Sequence, residues 1–175
     1  MSATNVDLGN VEYVYLRNTD CNNGAGADGA SSFTWALPYI NPKEAPYMFI
    51  QVVQAYADYG TGATTPAVGT ASPQHLRFTN VRGFNAYATD DGNSVQLASI
   101  MERDTLAGHW MAKYDAPMIQ VPSNLSQISF TLNLNLNGSL ATISDNGSLD
   151  ILLKIVRPKR DAITANTLAS YVRTL

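Results

Sequence analysis

Two histidines (His75 and His109), one cysteine (Cys21) and two small acidic groups are the side chains here whose types could carry chemistry. The histidines sit in no HExxH or HxH spacing, so their neighbours do not make either one a metal ligand. A single thiol forms no intrachain disulfide and no thiolate cluster. Asp90 and Asp91 are adjacent and run into Gly92-Asn93. Neighbours on a turn point apart, so this reads as a hairpin turn rather than an acid–base pair or a calcium site. Asp20, Asn22 and Asp28 supply oxygens without the spacing of a calcium loop or its terminal bidentate Glu. There is no GxSxG elbow and no phosphate loop; Gly24-Ala25-Gly26 lacks a third glycine and a following helix. The N-x-S triplets at Asn124, Asn137 and Asn146 are what a chain rich in Asn and Ser produces by chance. The sequence is therefore expected not to be an enzyme and to use no catalytic, cofactor or metal residue.

The elements that would position any site are strands. Ile128, Phe130, Leu132, Leu134 and Leu136 alternate with Ser129, Thr131, Asn133 and Asn135. A period of two puts the apolar set on one sheet face and the polar set on the other. Leu149–Val156 is aliphatic and ends at Pro158, which cannot continue a ladder. With the turn pairs Asn137-Gly138 and Asn146-Gly147 between them, these two runs are expected to form a hairpin. Val11–Arg17, Phe33–Leu37, Gln74–Thr79, Gly83–Thr89, Ser94–Arg103, His109–Lys113 and Met118–Val121 are further short strands. Tyr47–Tyr56 is apolar on both faces, as for a central strand covered on both sides. The pattern predicts an all-β, antiparallel β-sandwich of eight to ten short strands, jelly-roll-like, spanning 1–157. Residues 158–175 then form a basic C-terminal arm.

Composition narrows the class. The chain carries 11 basic and 14 acidic residues among 175, a net charge of −3, against 15 Asn, 13 Ser and 15 Thr. So few charges exclude a coiled coil or a disordered polyampholyte, and the balance gives no reason to expect specific nucleic-acid binding. The apolar stretch Tyr47–Val53 is too short to span a bilayer. MSATNVDLGN has neither the basic nor the apolar part of a secretory signal, so a soluble protein made in the cytoplasm is expected. Charge is absent from Ala116 to Ser144, whereas Lys154–Leu175 holds five basic residues and one acid. An uncharged hydroxyl and amide face can be covered at modest desolvation cost. Ser129, Thr131, Asn133 and Asn135, together with Arg157 at the end of the sandwich and Lys159, Arg160 and Arg173 of the arm, are therefore the candidate contact residues. Tyr13, Tyr15, Tyr39, Tyr47, Tyr56 and Tyr59 could gather into a second recognition surface. The plainer reading puts each of them at a strand edge or core rim. Two small-residue loops, 18–32 and 59–72, are the places a ligand or calcium would bind.

The stretch MIQVPSNLSQISFTLNLNLNGSLATISDNGSLDILLKIVR (Met118–Arg157) resembles the C-terminal strands of small jelly-roll minor capsid proteins from large icosahedral double-stranded DNA viruses. In them a VPSNL start, an IxFxL strand, a polar turn and an LDIxLKI strand close the sandwich. FTWALPYINPKEAPYMFIQVVQAYADY (Phe33–Tyr59) is similar to their early strands. The resemblance implies a non-enzymatic virion component, oligomeric within a shell, that cements or bridges major capsid proteins or occupies a vertex. It implies the major capsid protein and other capsid proteins as partners. It carries over no site residue. The alternative is a carbohydrate- or ligand-binding β-sandwich, lectin-like or at a fibre tip, reading ligands through its amide-rich loops and tyrosines.

Overall fold

Alternation of apolar and polar side chains is realised along almost every segment that the computed structural model describes: residues 10–22, 32–37, 47–60, 74–81, 87–88, 94–103, 110–112, 116, 118–133, 142–144 and 146–158. Ten strands follow in chain order: β1 (Asn10–Arg17), β2 (Ser32–Ala36), β3 (Tyr47–Asp58), β4 (Gln74–Phe78), β5 (Tyr87–Ala88), β6 (Ser94–Arg103), β7 (Trp110–Ala112), β8 (Ile119–Pro122), β9 (Gln127–Asn133) and β10 (Ser148–Arg157). A single 3₁₀ turn, Asn18–Asp20, follows β1, and no α-helix occurs among the described residues. The protein is all-β, with an antiparallel sheet nearly closed into a barrel.

The pairings nest. β1 pairs with β10, β2 with β9, β3 with β8 and β4 with β6, all antiparallel. That is the pattern of one long hairpin whose tip lies between β4 and β6. Wrapping it on itself brings β10 beside β3 and β9 beside β4. The short β7 then bridges β3 and β6, joining the two halves into one path, β1-β10-β3-β7-β6-β4-β9-β2. The end strands meet at a seam: the Trp35 indole Nε1–H donates to the carbonyl of Arg17 at 2.6 Å, and the Asn22 N–H to the carbonyl of Thr34 at 2.7 Å. The expected hairpin between the last two strands does not form. β9 lies between β2 and β4, and β10 between β1 and β3, because each finds its partner across the wrapped hairpin instead of at its chain neighbour.

The core is the inward row of each strand: Ile128, Phe130 and Leu132 from β9, Leu149, Ile151, Leu153 and Ile155 from β10, Leu76 and Phe78 from β4. Fully burying one such side chain contributes roughly 1.5–3 kcal/mol. Phe78 packs on Phe130 with ring centroids 4.7 Å apart, and Trp35 meets Phe130 edge-on at 5.9 Å. Strand β3 departs from the expectation of cover on both faces. Leu152 lies opposite Gln54 and Leu153 opposite Val52, so Val53 is an extra residue, a bulge. It moves the buried set from Met48, Ile50 and Val52 to Ala55 and Ala57, and leaves Val53 exposed. Two apolar phases of one strand had the look of two covered faces.

The β3 exit is held by close backbone contact with residues 144–147. Gly60 has φ +70°, and a Cβ there would overlap Ser144 Oγ; one at Gly147 would lie 2.5 Å from the Asp58 carbonyl oxygen. Ser144 donates both its N–H and its Oγ–H to the Tyr59 carbonyl, each at 3.0 Å. Only glycine lets the backbones approach this closely.

Candidate functional site

Directly opposite residues of an antiparallel pair share a face, so the register assembles two outer faces. The first covers β2, β9, β4 and β6. Ser32 lies opposite Thr131, Thr34 opposite Ser129, Arg77 between Thr131 and Leu97, and His75 between Asn133 and Ile100. The Thr34 and Ser129 hydroxyls are 2.8 Å apart, and Thr131 Oγ1 donates to Asn133 Oδ1 at 3.0 Å. Asn80 clamps the rim: its Nδ2 donates to the Gln127 carbonyl and its Oδ1 accepts from the Ser129 N–H, both at 2.8 Å. Ser129 and Thr131 are half-buried, while Asn133 is only 4 % exposed and is already covered within the chain. Asn135 lies outside the described residues. The segment without charge in sequence is not a region without charge in space, because Arg77 of β4 sits beside Thr131. Neighbours along the chain carried no sign of that.

The second face covers β1, β10 and β3. Its rows read Val11–Val156–Phe49, Tyr13–Lys154–Gln51, Tyr15–Leu152–Gln54 and Arg17–Asp150–Tyr56. Val11, Tyr13, Tyr15 and Val53 are 42, 60, 54 and 47 % exposed, and they are the exposed large hydrophobic side chains among the described residues. All four belong to this side of the molecule. The Arg17 guanidinium lies 5.1 Å over the Tyr15 ring and its Nε is 3.7 Å from Asp150. Lys154 has no carboxylate partner among the described residues. The Tyr56 phenol is held above its usual range by burial and by the Asp58 and Asp150 carboxylates.

The tyrosines named from sequence thus separate. Tyr13, Tyr15 and Tyr56 share the second face, and Tyr47 meets Phe49 edge-on at 5.8 Å where β3 pairs with β8. Tyr59 belongs to the core: 4 % exposed, its hydroxyl donating to Gln74 Oε1 at 3.0 Å, its pKa pushed above the ordinary tyrosine range by burial. Tyr39 lies outside the described residues.

Arg157 is already engaged within the sheet. It closes β10 and grips Glu12 of β1 through both guanidinium ends, Nη1 to Oε1 at 3.2 Å and Nη2 to Oε2 at 2.6 Å. It also sits in the other half of the sheet from Ser129 and Thr131, so the structure does not bring these candidates together. Lys159, Arg160 and Arg173 lie outside the described residues, as do His109, Asp90, Asp91, Asp28 and most of both small-residue loops. Cys21 is buried and not disulfide-bonded. Among the described residues no three His, Cys, Asp or Glu side chains are placed to hold a metal ion, and no helix is long and apolar enough to cross a membrane.

The two faces offer surfaces for contact. One face presents hydroxyls that bond to one another; the other presents aromatic rings, a paired arginine and a lysine. No protein-family model matches the sequence, and no curated protein matches it either.

Proposed function

We propose that this chain is a structural, non-enzymatic component of a viral shell, a jelly-roll minor capsid protein that cements or bridges major capsid proteins or occupies a vertex. The observation that carries this reading is the nesting of the strand pairs. Setting aside the short β5 and β7, the remaining eight strands pair first with last, second with seventh, third with sixth and fourth with fifth. Their lateral order is then β1-β10-β3-β8 on one side and β2-β9-β4-β6 on the other. That order is the one a jelly roll takes from its two Greek keys, and jelly rolls serve as viral capsid, lectin and cupin domains.

The step from fold to role is an analogy at the level of the fold. What favours the shell among these uses is the surface: an open aromatic side beside a hydroxyl side suits burial against other proteins. The shell neighbours and the virion location follow from the same reading. The test is sedimentation of intact particles from the source of this chain, with its ratio to the main shell protein measured. A fixed ratio supports the proposal, low for a vertex and high for cement between capsomers. Absence from the particles, or binding to a glycan array lost on removing residues 18–32 or 59–72, would overturn it in favour of a ligand-binding module.

A further inference from the structure

We propose that two copies of this chain pair through the free edge of β1, antiparallel about a two-fold axis that passes between Tyr13 and its mate. No strand among the described residues pairs with the far side of β1. Its direction of hydrogen bonding can be read from the seam. The Arg17 carbonyl turns away from β10 to accept the Trp35 indole N–H. In a strand the N–H and C=O of alternate residues point to the same edge. The register with β10 is unbroken from Asn10 to Arg17, so Val11, Tyr13 and Tyr15 also direct their backbone groups to the open edge.

Those same residues carry the exposed side chains at 42, 60 and 54 %, and between Asn10 and Leu16 the strand has no Pro and no Lys to blunt its edge; its one charge, Glu12, is held by Arg157. A two-fold axis normal to the sheet sets odd residues against odd and even against even. Four such registers overlap five or more residues of the strand, and the one centred on Tyr15 sets Tyr13 of one copy against Arg17, where Trp35 already occupies the edge. Centring on Glu12 opposes two carboxylates. Centring on Val14 sets Val11 of one copy against Arg17, where Trp35 already occupies the edge. Centring on Tyr13 does neither.

In the Tyr13 register Asn10–Leu16 overlap, Val11 faces Tyr15 of the other copy, and about six backbone hydrogen bonds form. Like charges stay apart: Glu12 remains on Arg157, and the two Lys154 residues lie three strand spacings apart, roughly 14 Å, beyond the ~8 Å Debye length. Seven residues a side is well below a standard interface of about 20–30. The dimer therefore belongs in the micromolar range, responding to concentration.

The experiment is equilibrium sedimentation of the full chain from about 1 to 500 µM, alone and with Tyr13→Lys, which opposes two ammonium groups at the axis and weakens pairing by at least about tenfold. Tyr13→Ser removes the aromatic pair without adding charge and should weaken it less. Tyr13→Cys opposes two thiols at about 5.5 Å between Cα atoms, within disulfide reach, whereas Tyr15→Cys leaves them about 13 Å apart. Mild oxidation should yield a covalent dimer from the first and not from the second. A chain monomeric throughout that range, or equal cross-linking of the two cysteine variants, overturns the proposal. Neither result bears on whether the chain is found in particles.

Discussion

The two outer faces lie over one core and reverse the usual association of polarity with exposure. On the β2–β9–β4 side the side chains are hydroxyls, amides and a cation; Ser32 and the rim residue Asn80 are exposed, yet Thr34, Ser129, Thr131 and Asn133 are half-buried or buried, and the face is bonded together: Thr34 to Ser129, Thr131 to Asn133, Asn80 to the β9 backbone. On the β1–β10–β3 side, Val11, Tyr13, Tyr15 and Val53 stand in solvent. The lesson is that a polar face can belong to the stability of the chain, while an apolar one can be free of it and available for a partner.

The largest effects test whether both faces share one core. Phe130→Ala, beneath the hydroxyl face, should cost about 3–5 kcal/mol, and Leu153→Ala, beneath the aromatic face, about 2–5 kcal/mol. Each should shift a single urea transition. Two separate transitions would break the comparison at its base. Next comes the seam. Trp35→Phe keeps the ring stack but orphans the Arg17 carbonyl, and should cost about 1–3 kcal/mol in the same measurement.

Tyr59→Phe removes the hydroxyl bonded to Gln74 and should cost about 1 kcal/mol at neutral pH, with a distinctive pH dependence. Because burial raises the Tyr59 pKa, its neutral form stabilises the native state fully below about pH 10, the unfolded value. That contribution falls as pH rises beyond it. Wild type should therefore lose more stability than Tyr59→Phe between about pH 9 and 11, and a constant gap would count against the buried phenol. The smallest effects contrast the two faces directly. Thr34→Val, which breaks a cross-strand hydroxyl contact, should cost about 0.2–1 kcal/mol, and Tyr13→Ser should stay within about 0.5 kcal/mol of wild type in the monomer. If the exposed tyrosine proves the more costly of the two, the contrast between the faces fails.

Local pattern made the strands legible. The alternation at Ile128–Leu132, the aliphatic run stopped by Pro158 and the short β2 before Pro38 all appear at their expected places. Partnership was legible for β5 and β6, the expected strands on either side of Asp90-Asp91, which do pair, and not for the last two strands. Asn137-Gly138 and Asn146-Gly147 pointed to a hairpin of β9 with β10, while both strands pair across the wrap. A turn residue biases only its own few dihedrals, whereas the nesting is set by which apolar faces can be buried together. The same limit hid the candidate surfaces. Ser129 and Thr131 were identifiable by alternation, but Arg77 beside them comes from a strand some fifty residues earlier. Val53 became exposed through a bulge that apolar composition alone conceals.

Strand character, the inward rows and the scarcity of charge are set locally, because side-chain period and composition are properties of consecutive residues. Contacts across the fold set which strands distant in sequence lie side by side, that Arg157 grips Glu12, and which tyrosines are left in water. Those outcomes depend on contacts between residues up to 145 positions apart, fixed only when the nested pairs wrap around a common core.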